Sequence, residues 1–264
     1  MIDWGSWRNQ PILLGGLVFL GWLYALGIGP LRGRLAPGEP FPRRQAFRFF
    51  AGLVLLYLAL GSPLDEIARY LLCSAHTLQD VLVLYPAAAL LLLGLPAWLV
   101  DLGLARVPRP LGRALLSPLV CAGFFVVVVS GWYVPRLFEG ALRNEGLHAV
   151  RAAMFLAAAV LFWWPLASPS QLFPALRYGG RLLYLLAVQV ALTGVFTYVL
   201  MSDHPMFPTY EHAPRLVAAL SPIEDQVLAG ALLSFISSVV LVSALGLNFY
   251  RWAQTERRPG SRQP

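Results

Sequence analysis

Cys73, His76 and Asp80 stand at positions i, i+3 and i+7 of a stretch that begins SPLDEIARYLLCSAHTLQD and continues VLVLYPAAALLLLGL. On a helix turning about 100° per residue they share one narrow face, while Gln79 points away from it. A thiol, an imidazole and a carboxylate on one face could hold a metal. Ionisable groups beside hydrocarbon are costly, so such a patch faces a bundle interior or a water-filled cavity and reads as functional. The plainer alternative puts His76 and Asp80 at headgroup depth, in contact with water or with each other.

Further along, His148 opens another apolar run, and the loop MSDHPMFPTYEHAPR brings Met201, His204, Met206 and His212. Imidazole, thioether and the Cys73 thiol form a soft ligand set, which suits copper(I) better than magnesium or calcium. The bland readings are Met201 as a core filler and His204 as a solvated loop residue. Arg151 could pair with Asp80 or Glu145 as a structural ion pair. There is no Gly-rich phosphate loop, no HExxH and no CxxC, so no catalytic residues are expected and an enzyme is unsupported.

The elements that must position these residues are membrane helices. The chain has 264 residues, of which 58% are hydrophobic and 12% charged, with a mean hydropathy of +0.65. A soluble domain this apolar could not cover its surface. Seven apolar segments reach or approach bilayer length: residues 11–29, 46–61, 71–95, 114–133, 147–167, 182–201 and 226–250. The expected fold is an all-α, polytopic transmembrane bundle over 1–250, with a basic, disordered cytoplasmic tail over 251–264 that could touch anionic lipid. The N-terminal run is long enough to be a retained helix, not a cleaved signal.

All twenty basic residues are Arg. They punctuate the apolar runs instead of forming one patch, which argues against a nucleic-acid partner. Fourteen fall on one side of the expected membrane and six on the other, so the positive-inside rule puts the N-terminus outside and the C-terminus in the cytoplasm. All four histidines and ten of the thirteen acids then lie at the outer face. Cys73 and Cys121 fall in different segments at different depths, which speaks against a disulfide.

Two helix entries repeat Ser-Pro followed by acids: Ser62-Pro63-Leu64-Asp65-Glu66 and Ser221-Pro222-Ile223-Glu224-Asp225. Each offers a Ser N-cap, Pro at the first helical position and a carboxylate at the third, which explains the acidity without a cation. Gln189, Thr193, Thr197 and Met201 form a mildly polar stripe, and Gly230, Ser234 and Ser238 a small-residue stripe. Packing is the default reading of both.

These motifs, with LLLLGLPAWL, GLHAVRAAMFLAAAVLFWWPL, SDHPMFPTY, APR and LSPIEDQVLAG, resemble the CtaG-type cytochrome c oxidase assembly factors over about Ser62 to Arg251. That family is linked to caa-type oxidases and is distinct from the unrelated copper chaperone sharing its name. The resemblance implies a multi-pass inner (plasma) membrane protein that meets oxidase subunits and assists copper handling during oxidase maturation, with no small-molecule substrate. The family pattern resembles HxxxH in the third and fifth helices. Here the first positions are His76 and His148, but the second are Asp80 and Ala152. A ligand set of Cys73, His76, Asp80 and His148, with Met201 or His204, is the form copper binding would take in this chain. The alternatives are a b-type haem protein ligated by His76 and His148, a transporter, and a scaffold without metal.

Overall fold

The computed structural model describes residue 7, residues 11–217 and residues 219–256, and among these the chain is all-α. Helices long and apolar enough to cross a membrane are Pro11–Ile28 (α1), Arg43–Gly61 (α2), Cys73–Leu93 (α4), Glu145–Ala167 (α7), Tyr178–Leu200 (α8) and Pro222–Tyr250, the last belonging to a longer helix, Pro222–Glu256 (α9). Arg109–Leu115 and Pro118–Trp132 (α5), bent by 46°, are together apolar and long enough to make a seventh span if the pair is counted as one. Two shorter helices matter for the site: Pro63–Tyr70 (α3) and Pro135–Arg143 (α6).

Six of the seven expected spans are present, and the fourth corresponds to the bent pair; the shifted edges have local causes. The third was expected to start at Leu71, but Leu72 is extended and separates α3 from α4. The fourth was expected to run unbroken from Ala114. Pro118 pushes the preceding residue out of helical geometry, so Ser117 is extended and its hydroxyl accepts from the Val120 amide at 3.4 Å to start α5 afresh. The tail falls partly outside the described residues. The backbone of α9 continues as helix to Glu256, and 257–264 are not described.

The central helix is α4. Its neighbours are α2, α7 and α9; α1 packs on α2, α8 on α9, and α5 on α7 and α8. Pro86 would break the regular hydrogen-bond ladder, and the chain absorbs it as a π-turn over Val83–Ala87. The Trp163 indole donates to the Leu84 carbonyl in that turn at 3.1 Å. Past its C-terminal end, Gly94 touches α2: a Cβ there would stand 2.6 Å from the Phe49 nitrogen, so only glycine allows the approach. Gly230 plays the same part where α9 meets α8, with a Cβ position 3.2 Å from the Leu200 backbone, which supports the packing reading of the small-residue stripe.

An aromatic layer fills the middle of the bundle. Phe125 of α5 stacks on Phe162 of α7 at 4.5 Å, and the Tyr184 hydroxyl of α8 donates to the Phe162 carbonyl at 3.0 Å. Toward the N-terminal ends of α4 and α7, this apolar interior gives way to buried polar side chains.

Candidate functional site

The polar end is built where α3 lies across the start of α4. Ser62 caps α3 by accepting from the Leu64 amide at 3.2 Å, with Pro63 in the first turn. Asp65 is almost wholly buried: its Oδ1 accepts from Gln79 Nε2 at 2.9 Å and lies 3.3 Å from His148 Nε2. Gln79 also donates to the Ala59 carbonyl at 2.9 Å, which ties α4 to the last turns of α2. Burial pushes the Asp65 carboxyl up, but hydrogen bonds from His148 and Gln79 and the charge of Arg69 outweigh it, so the group titrates below the usual carboxylate range.

The second Ser-Pro entry works differently. Ser221 and Glu224 form a reciprocal capping box, with the Ser221 amide donating to Glu224 at 2.7 Å and the Glu224 amide to the Ser221 hydroxyl at 3.2 Å. Asp225 is therefore surplus to the cap and reaches across to α4. It accepts from the Cys73 amide at 2.6 Å, the Ser74 amide at 3.2 Å and the Ser74 hydroxyl. Leu72 stands at the N-cap of α4 and offers no acceptor of its own, so a carboxylate from α9 caps the helix instead.

Asp80, about two turns below Cys73, is neutralised by Arg151. Its Oδ2 accepts from the Arg151 guanidinium at 2.5 Å and from the Tyr133 hydroxyl at 3.1 Å. Of the two partners weighed for Arg151, Asp80 is the one whose contact defines the site. The guanidinium also lies over the Phe155 ring at 4.4 Å and the Phe138 ring at 5.6 Å.

His76 and His148 lie one turn nearer the helix starts than this ion pair, His76 on α4 and His148 on α7. His76 Nδ1 is 3.1 Å from the Ala68 carbonyl of α3, and its ring centroid is 4.7 Å from that of Phe138. The Tyr210 hydroxyl donates to the same Ala68 carbonyl at 2.5 Å; burial pushes its pKa well up. Phe138 stacks on Phe207 at 4.1 Å, so α6 and the loop before α9 together roof His76. His76 Nε2 and His148 Nδ1 are buried without a hydrogen-bond partner among the described residues. His148 and Ala152 also line an apolar groove of about 310 Å³ between α1, α2 and α7.

Cys73, His76 and Asp80 are all buried, in keeping with a shared inward face, but they do not gather about one point. Seven helical steps separate Cys73 from Asp80 by about 10 Å along the axis, and each residue is held by a different neighbour: the Cys73 amide by Asp225, the His76 ring by the Ala68 carbonyl and the Asp80 carboxylate by Arg151. Among the described residues, no three His, Cys, Asp or Glu side chains have the grouping of a metal site. Met201 is 72% exposed and His204 is exposed, so both lie outside the buried cluster. The residues that sequence reasoning left out of the site are Asp65, Gln79, Tyr133, Tyr210 and Asp225.

The class these observations define is a polytopic all-helical membrane bundle with a charge-paired, imidazole-bearing polar end. The family model for the cytochrome c oxidase caa3 assembly factor matches residues 22–255, and the chain belongs to that family. No curated protein and no solved structure matches it.

Proposed function

We propose that this oxidase assembly factor holds copper(I) as cargo between His76 and His148 at the extracytoplasmic end of the bundle, and yields it during oxidase maturation without a catalytic cycle of its own. The observation that carries the reading is the pair of buried ring nitrogens, one on each histidine, that lack partners. A buried lone pair without a donor is unfavourable, and a soft cation that imidazole binds well would relieve it. The groove beside His148 offers an approach from the flank of the bundle. Cys73, at the top of α4, is the nearest soft sulfur in sequence to His76. Asp80, already neutralised by Arg151, contributes through that pair instead of as a ligand. Met201 and His204, on the exposed loop, suit capture of the ion before it enters.

The location proposed is the plasma membrane of the cell, with oxidase subunits as partners, the N-terminus outside and the C-terminus in the cytoplasm. Copper(I) stoichiometry of the purified protein tests the cargo. The wild type should hold one ion per chain and His76→Ala and His148→Ala should lose it; equal, near-zero occupancy in all three ends the proposal. A Soret band in the purified protein would instead indicate haem.

A second reading is favoured by the Asp80–Arg151 pair, which commits to structure a carboxylate that a metal site could use. On that reading the chain is a scaffold for oxidase subunits. In a deletion strain, recovery of oxidase activity with His76→Ala/His148→Ala would select the scaffold.

A further inference from the structure

We infer that Asp65, steadied by Gln79, is a positioning residue for His148, holding the imidazole in the tautomer that bares Nδ1, while the Ala68 carbonyl holds His76 in the opposite one. The metal-binding half of this inference rests on the copper reading above; the tautomers do not.

A neutral imidazole carries its proton on one nitrogen and a lone pair on the other, and the partner of the first decides which. His148 Nε2 lies 3.3 Å from a carboxylate oxygen of Asp65, which accepts, so the proton belongs on Nε2 and the lone pair on Nδ1. For His76 the assignment is reversed. A backbone carbonyl can only accept, so Nδ1, 3.1 Å from the Ala68 oxygen, carries the proton and the lone pair falls on Nε2. In each ring the bared atom is the buried one without a partner among the described residues. Two independent contacts, one to a side chain and one to the main chain, thus lead to the same result by opposite tautomers.

The setting of Asp65 gives it the stiffness this task needs. Gln79 holds the same Oδ1 at 2.9 Å and is itself anchored on the Ala59 carbonyl. Asp65 also sits in the first turn of α3, where the helix end favours a carboxylate. A ligand imidazole whose other nitrogen donates to a carboxylate is held in orientation and made more basic, and losing the carboxylate typically weakens metal binding ten- to a hundred-fold. The competing account of the same contact is a salt bridge to a doubly protonated His148, with no bare nitrogen at all.

Nitrogen-15 NMR of metal-free, histidine-labelled protein at neutral pH separates these accounts. The chain has four histidines, and His76→Ala and His148→Ala assign the two that matter. The expected wild-type spectrum has His148 protonated on Nε2 alone and His76 on Nδ1 alone. Asp65→Leu should move His148 toward the other tautomer and leave His76 unchanged; Asp65→Asn, which keeps an acceptor oxygen, should restore the wild-type pattern. Copper(I) affinity should fall roughly ten- to a hundred-fold in Asp65→Leu and recover in part in Asp65→Asn. A doubly protonated or Nδ1-protonated His148 in the wild type overturns the inference, whether or not the variants fold. So does a His148 tautomer indifferent to Asp65→Leu. The predicted tautomers in a wild-type protein that takes up no copper(I) would uphold the positioning and overturn the cargo reading.

Discussion

At the scale of single residues, the polar end is a set of matched pairs, and removing one member exposes the other. Arg151→Ala leaves the Asp80 carboxylate buried and uncompensated, which should cost about 3–5 kcal/mol and appear as a large fall in thermal stability. The double change Asp80→Leu/Arg151→Met removes both charges and should cost far less. A double change as damaging as Arg151→Ala would mean that the pair is not the reason for the loss. Asp65 adds a pH dependence. Its carboxyl is held below the ordinary value of 3.8, so its contribution is fully present above that value and disappears as pH falls through the lower, folded-state pKa. An unfolding titration of the wild type should therefore steepen only on the acid side of 3.8, and Asp65→Asn should remove that part of the slope. The angular spacing of Cys73, His76 and Asp80 was enough to read an inward face from sequence. The pairing of Arg151 with Asp80 was one of two weighed from the sequence, whereas Ala68 and Asp225 were not readable as partners, because they come from other elements whose packing the spacing does not encode.

At the scale of elements, α4 depends on its neighbours at both ends. Its N-terminus has no cap of its own, and Asp225→Ala would leave the Cys73 and Ser74 amides buried without an acceptor. The expected cost is about 2–4 kcal/mol, from two orphaned donors at 1–3 kcal/mol apiece with partial relaxation. Hydrogen exchange should show this first in the opening turn of α4, while α5, which has its own Ser117 cap, stays protected. At the other end Gly94→Ala would drive a methyl into the Phe49 backbone, a contact that no rotamer change relieves, and should cost at least about 1–3 kcal/mol. Both Ser-Pro entries were legible as helix starts because capping is local chemistry. That Asp225 serves another helix was not, since an acid in a first turn looks the same whether it faces its own backbone or a neighbour's.

At the scale of the whole molecule, six of the spans were legible because bilayer thickness converts apolar run length directly into helix length, and the seventh expected one is the bent pair that ends in α5. The bend at Ser117 and the separate helix α3 were missed for the converse reason: hydropathy does not register a two-residue break in the backbone. The orientation proposed from the distribution of the arginines decides whether the imidazole end can meet an oxidase from outside the cell. Both native cysteines are buried, so the folded protein has no exposed thiol of its own to complicate labelling. His204→Cys, on the loop beside the polar end, should react with a membrane-impermeant maleimide in intact cells, whereas Arg34→Cys, on the loop after α1, should react only after lysis. The reverse pattern would put His76 and His148 at the cytoplasmic face, where an ion held between them would face the cytoplasm. Copper delivery from the outer side would then be excluded by topology, even for a protein that binds the ion tightly.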